Sequence, residues 1–156
     1  MRAAAAAACA LLGGCLSVPN ESLPPQQYYV LTDLAQAGAT PEPARSDRTL
    51  LVSPTATSPF YDTQSLVYSR AAGQRAYYQF AGWTERPGRR FSELLLRRLE
   101  ARGAFAWVAS TTASVRGDRV LNTRLEELYQ DTVTKPGRVQ VEVTAEVIDH
   151  AERAMI

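Results

Sequence analysis

The sequence predicts an α+β fold, a two-layer domain with a largely antiparallel sheet and one long helix packed against it. Three observations point there. Val139, Val141, Val143, Ala145 and Val147 alternate with Gln140, Glu142, Thr144, Glu146 and Ile148, the period-two pattern of a strand with one apolar and one wet face. Phe91, Leu94, Leu95 and Leu99 recur at helical spacing, with Glu93, Arg97, Arg98 and Glu100 around the other side. Several short aromatic and β-branched runs, punctuated by Pro, Gly, Ser and Asp, surround that helix.

Taken in order, the chain opens Met1-Arg2 and continues through the apolar run Ala3 to Leu12, too short to span a bilayer as a helix but long enough for the apolar region of a signal peptide. Leu12-Gly13-Gly14-Cys15 follows and is similar to the lipobox of bacterial lipoproteins. Residues 1–14 are therefore expected to be a lipoprotein signal peptide, with Cys15 as the lipid anchor. An ordinary secretory signal and a cytoplasmic Ala-rich helix are the alternatives. Two or more acyl chains on one cysteine make a stable anchor, whereas one binds marginally. Leu16 stands where an aspartate is associated with retention in the inner membrane, so the sorting pattern resembles that of the outer membrane, periplasmic face.

Residues 15–27, with Pro24-Pro25, read as an extended tether between lipid and domain. The domain is expected over 28–156. Tyr28 to Leu31 is its first strand, and Ala35 to Asp47 a loop. Thr49 to Val52 is a strand that Pro54 ends, since proline has no N–H to give to a sheet. Ser58 to Asp62 is a turn bearing Phe60 and Tyr61; Ser65 to Ser69 and Arg75 to Phe80 flank Ala71 to Gln74 as a hairpin. The helix runs from Pro87, suited to a first turn, to Arg102, with Gly103 at its C-terminal end, and Leu96 widens its apolar stripe. Phe105 to Ala109 is a further strand. Asp118 to Leu128 fits both periods, and the strand reading is preferred because the Val-rich segment after Lys135-Pro136-Gly137 supplies its mate.

Composition narrows the function. The leader takes Arg2 with it and leaves the remaining basic side chains balanced against 16 acidic ones, without the basic excess expected of a nucleic-acid binder. Both cysteines, Cys9 and Cys15, precede the domain, so it has no thiolate for catalysis or metal binding and no disulfide. No nucleophile elbow, phosphate loop or zinc spacing occurs. His150 is the lone histidine and reads as an edge residue; the acids at Glu126, Glu127, Asp118 and Asp131 read as solubility rather than as a catalytic pair. A non-catalytic protein without cofactor or metal is expected. The candidate contact residues are aromatic: Phe60, Tyr61, Tyr68, Tyr78 and Trp83, because rigid aromatic groups dominate interfaces and lipid-facing grooves. Core packing is the competing reading for each, above all for Trp83 and Tyr68.

The lipobox at Leu12 to Cys15, Tyr28-Tyr29-Val30-Leu31, Leu51-Val52-Ser53-Pro54, Ser58 to Asp62 and Leu66 to Arg70 stand in a particular order. Tyr77-Tyr78, Ala81-Gly82-Trp83, the helix containing Phe91 to Leu99 and Gly117-Asp118 with Leu121 complete it. In that order the chain resembles the auxiliary lipoprotein component of bacterial ABC-type transport systems, the group that includes the paraquat-inducible protein C lipoprotein. The resemblance implies a lipid-anchored, periplasm-facing accessory that works with an MCE-domain protein and, through it, an ABC permease and ATPase. Such systems are implicated in moving phospholipids or other hydrophobic molecules between the inner and outer membranes. It also implies a further strand and a C-terminal helix after Ile148, so a C-terminally short domain is expected to expose the apolar face of its Val-rich strand. A structural or assembly-factor lipoprotein of the outer membrane is the alternative.

Overall fold

The computed structural model describes residues 23–34 and 46–150. The signal peptide, Cys15, the first part of the tether, the loop from Ala35 and the chain after His150 lie outside the described residues. Elements follow in the order β1 (Gln27–Tyr29), β2 (Ser46–Val52), β3 (Ala56–Thr57), β4 (Ser65–Ser69), β5 (Ala76–Trp83), α1 (Pro87–Arg102), β6 (Phe105–Ser110), β7 (Arg119–Asp131) and β8 (Arg138–Asp149).

The two-layer α+β class holds, and β7 organises it. One edge of this long strand receives β2 at Arg119 to Leu121, β3 at Arg124 and Leu125, and β4 at Gln130 and Asp131, all parallel. The three come in chain order because the bends at Pro54 and at Ser58 to Gln64 redirect the chain without reversing it. β6 joins β2 in parallel, β5 joins β4 antiparallel across the Ala71 to Gln74 turn, and β1 joins β5 in parallel. The opposite edge of β7 is taken by β8 alone, in the longest ladder of the sheet, antiparallel from Arg119 opposite Asp149 to Asp131 opposite Arg138. The sheet is thus mixed: its two antiparallel ladders join sequence neighbours, and the parallel ones bring distant segments together.

The ambiguous segment before the Lys135 turn is strand, and it extends to Asp131. Helical spacing of Leu121, Leu125 and Leu128 arises from a register shift between Leu125 and Glu127, which uses one extra residue and puts Leu128 opposite Val141. Because β8 alternates regularly, its partners Leu121, Thr123, Leu125 and Leu128 share one face of the sheet. Gln27, expected as the last tether residue, is the first of β1.

The helix has the bounds that its period and end signals predict, with Pro87 in the first turn and Gly103 at φ 65°, donating its N–H to the Glu100 carbonyl. It sits on the Thr123 face. Ser92 donates to the Thr55 hydroxyl at 2.8 Å, and the Thr55 and Thr123 hydroxyls share a bond of 2.7 Å. Its closest partner in the sheet is β6. Phe91, Leu94, Leu95, Leu96 and Leu99 are half-buried, and only Pro87 and Gly88 in the helix are buried outright. The fully enclosed apolar core lies where β2 and β4 meet β7: Leu50, Leu51, Val52, Tyr61, Val67, Leu125 and Leu128. The β8 valines lie outside it. Among the described residues, Val139, Val141, Val143 and Val147 are all exposed.

Candidate functional site

The face that carries Leu125 and Leu128 continues past the helix as an open apolar groove of about 1080 Å³. Its floor is built by alternation: Leu66 and Tyr68 from β4, Tyr78 and Phe80 from β5, Leu128 from β7, and Val139 and Val141 from β8. The segment Pro24 to Thr32 forms one wall, and Trp83, the last residue of β5, closes one end. Its size and lining are those of a site for a small apolar ligand or an apolar chain, with a few polar groups to orient it. Those polar groups are present. The Tyr78 hydroxyl donates to Gln130 Oε1 at 2.8 Å, and the Tyr68 and Tyr78 rings lie 4.5 Å apart at 41°. The Arg70 guanidinium stands 5.0 Å from the Tyr68 ring centroid at the rim.

The groove separates the sequence-derived contact residues into two groups. Tyr68, Tyr78 and Trp83 line it, and all three are half-buried. Phe60 and Tyr61 do not. Tyr77 and Tyr78 are consecutive in a strand and face opposite ways, and Phe60 stacks on Tyr77 at 4.8 Å and 17°, accepting its hydroxyl proton at the main-chain oxygen. Tyr61 is buried, and its hydroxyl sits between Arg75 Nε at 3.2 Å and Glu127 Oε1 at 3.4 Å. Burial pushes the Tyr61 phenol above its ordinary value, and the neighbouring Glu127 carboxylate acts in the same direction.

Sequence reasoning did not single out Tyr29, Leu66, Phe80 or the Pro24-Pro25 wall, nor the valines that finish the floor. The valine alternation was visible; that it met the tyrosines of β5 was not, because β4 and β7 lie between them. Trp107 on β6 is also 69% exposed and carried no distinguishing signal.

A second cleft of about 1010 Å³ runs between β2, β3 and the start of the helix, lined by Thr55, Thr57, Ser92, Asp62, Arg86 and Arg89 among others. Its cations are already matched: Arg86 lies 3.2 Å from Asp62, and Arg89 lies 3.6 Å from Glu93. Outside the lining of this cleft, Glu126 accepts from Ser58 at 2.9 Å and from Arg124 at 3.0 Å, contacts that hold its carboxyl below the usual range. Among the described residues no three His, Cys, Asp or Glu side chains converge as metal ligands, and no helix is long and apolar enough to cross a membrane.

Comparison with known proteins identifies relatives. A family model described as the ABC-type transport auxiliary lipoprotein component matches residues 29–156. No curated protein matches the chain. Among solved structures, the crystal structure of protein XCC0632 from Xanthomonas campestris, assigned to the family DUF330, superposes with a TM-score of 0.66 at 20% identity, over 80% of this chain and 69% of that one. A second crystal structure, of an uncharacterized protein, gives a TM-score of 0.55 at 14% identity over 81% of each chain. At these identities the two structures speak to the fold alone.

Proposed function

Since the chain belongs to the ABC-type transport auxiliary lipoprotein component family, we propose that it is a non-catalytic accessory of an MCE-type ABC system that moves phospholipids or other hydrophobic molecules between the inner and outer membranes. In this reading residues 1–14 are removed, Cys15 carries the lipid, and the domain faces the periplasm from the outer membrane. An MCE-domain protein connects it to the permease and ATPase. The observation that carries the proposal is the apolar groove walled by Pro24 and Pro25. These prolines stand nine and ten residues after Cys15, so an extended tether reaches at most roughly 30–36 Å from the lipid. The groove is thereby kept close to the membrane surface on which the anchor lies.

The test is to purify the full-length protein from mildly solubilised envelopes, measure the mass of the intact complex and extract its lipids. A complex containing an MCE-domain protein, with phospholipid in the extract, is the expected result. Recovery with other envelope machinery and no transport component overturns it in favour of the assembly-factor role.

A further inference from the structure

Residues 23–34 form the strap that walls the groove on one side, and they meet the body of the domain through few contacts. Of these residues only Leu31 is not exposed, and the apolar side chains of Leu23, Tyr28, Val30 and Leu34 all stand in the open. Within the strap, β1 is three residues long, carries no buried side chain and, among the described residues, pairs with β5 alone. Pro24 and Pro25 before it have no N–H to add to that ladder. Little buried apolar area and solvent-exposed main-chain bonds are the marks of a segment that opens locally. The strap has both.

Polar contacts hold the rest of it. The Tyr29 carbonyl accepts the Thr84 N–H at 2.9 Å, the Leu31 carbonyl accepts from Arg90 Nε at 3.0 Å, and Asp33 Oδ2 lies 3.5 Å from Arg98 Nε. Arg90 and Arg98 stand about two turns apart on one side of α1, so the strap runs on from the β5 edge along the helix. Arg90 is the better buried of the two and is itself fixed, 3.2 Å from Glu93 and 3.7 Å from Glu85. Its bond falls on Leu31, the residue of the strap that is not exposed. We propose that residues 23–34 lift from β5 and α1 as a unit while the rest of the sheet stays closed, with the Arg90 guanidinium on the Leu31 carbonyl as the latch. Opening takes Pro24, Pro25 and Tyr29 out of the groove wall, which gives an elongated apolar molecule a lateral way in. As a gate, the strap rests on the reading of the groove as a ligand site. The opening itself stands on the strap's own contacts, which lie at the β5 edge with β4 and β7 between them and β8.

Two neighbouring amides separate strap opening from sheet opening. The Thr84 N–H is bonded to the strap through the Tyr29 carbonyl, whereas the Trp83 N–H is bonded within the body of the domain, to the Gln64 carbonyl at 2.6 Å. The Ser53 N–H, on the Leu121 carbonyl at 2.9 Å, reports the core beside β7. Lifting the strap frees the first of these three and leaves the other two bonded.

The test is native-state hydrogen exchange of the full-length chain in detergent, read amide by amide by NMR and corrected for intrinsic rates. The unaltered protein is compared with Arg90→Met and with the double variant Gln27→Cys, Ala81→Cys. In the unaltered protein Thr84 is expected to exchange at least roughly a hundredfold faster than Trp83 and Ser53. Arg90→Met keeps an apolar stem and removes the donor; it should speed Thr84 by roughly tenfold, the worth of one charged hydrogen bond, and leave Trp83 and Ser53 unchanged. Gln27 and Ala81 are directly paired across β1 and β5, within disulfide reach, so the oxidised double variant should slow Thr84 to the Trp83 rate and reduction should restore it. Equal rates for Thr84 and Trp83 in the unaltered protein overturn the proposal. So does Arg90→Met speeding all three amides alike or none of them, or a disulfide that leaves Thr84 unchanged. If Arg90→Met does not fold, the unaltered protein and the disulfide decide. Lipid extracted from the same preparation keeps the two readings apart: opening without lipid retains the strap and removes the ligand, while lipid without separate opening removes the strap alone.

Discussion

The guanidinium carbon of Arg75 lies 3.6 Å from the centroid of the Tyr129 ring. Its edge nitrogens meanwhile reach the Tyr61 hydroxyl and the Glu127 carboxylate, each at 3.2 Å. One planar cation thus fastens the hairpin before β5 to the turn after β3 and to β7. Lysine cannot do the same, because a point charge on a flexible stem has no fork to share between two acceptors while stacking.

Arg75→Ala is expected to destabilise the domain by about 1–2 kcal/mol, combining a cation–π contact with hydrogen bonds to a partly exposed carboxylate that solvent screens. Arg75→Lys should recover less than half of it. Thermal unfolding measures both, since roughly 2–4 °C of midpoint accompanies each kcal/mol in a chain of this size.

The same cluster gives the pH dependence. Burial raises the Tyr61 pKa, so the folded state holds that proton more tightly than the unfolded chain does. The associated stability is fully present below about pH 10, the ordinary tyrosine value, and is lost as pH rises through the higher folded value. Absorbance titration of the seven tyrosines should show one late-ionising group that Tyr61→Phe removes. A late group that persists in Tyr61→Phe contradicts the assignment.

Gly82 is buried in β5, and a β-carbon built there would come 2.9 Å from the Gln64 carbonyl oxygen, which already accepts the Trp83 N–H at 2.6 Å. Main chain cannot swing aside as a side chain does. Gly82→Ala should therefore cost about 1–3 kcal/mol, read by urea denaturation, and should loosen the β1 wall of the groove.

Within the groove, Tyr78→Phe removes the bond to Gln130 and keeps the ring, for a loss of about 0.5–1.5 kcal/mol. On the proposed reading, in which the groove holds an apolar ligand, Tyr78→Ala and Trp83→Ala are expected to reduce the lipid extracted from the purified protein severalfold. Phe60→Ala, on the opposite face, should leave that amount unchanged. Quantitative mass spectrometry of the extracted lipid distinguishes the two faces, and equal losses at Phe60 and Tyr78 would remove the groove from consideration.

Local signals were legible wherever one stretch of chain carries its own pattern. The helix bounds follow from a 3.6-residue period ended by Pro87 and Gly103, and β8 follows from strict alternation; both depend only on neighbours within a few positions. Tyr68, Tyr78 and Trp83 were also visible as aromatic residues in or beside strands. Their grouping, and the separation of Phe60 and Tyr61 from them, depended on which strand lies beside which.

Residue types and spacing by themselves determined the class of fold, the extent of the long elements and the aromatic character of the surface. Only the tertiary structure decided that β2, β3 and β4 share one edge of β7, that the floor of the groove joins residues from Leu66 to Val141, and that Arg75 meets Tyr129. The physical reason is that period and capping are set by covalent neighbours. Parallel pairing brings together segments far apart in the chain, and its register is chosen by the fit of whole faces rather than by any one stretch.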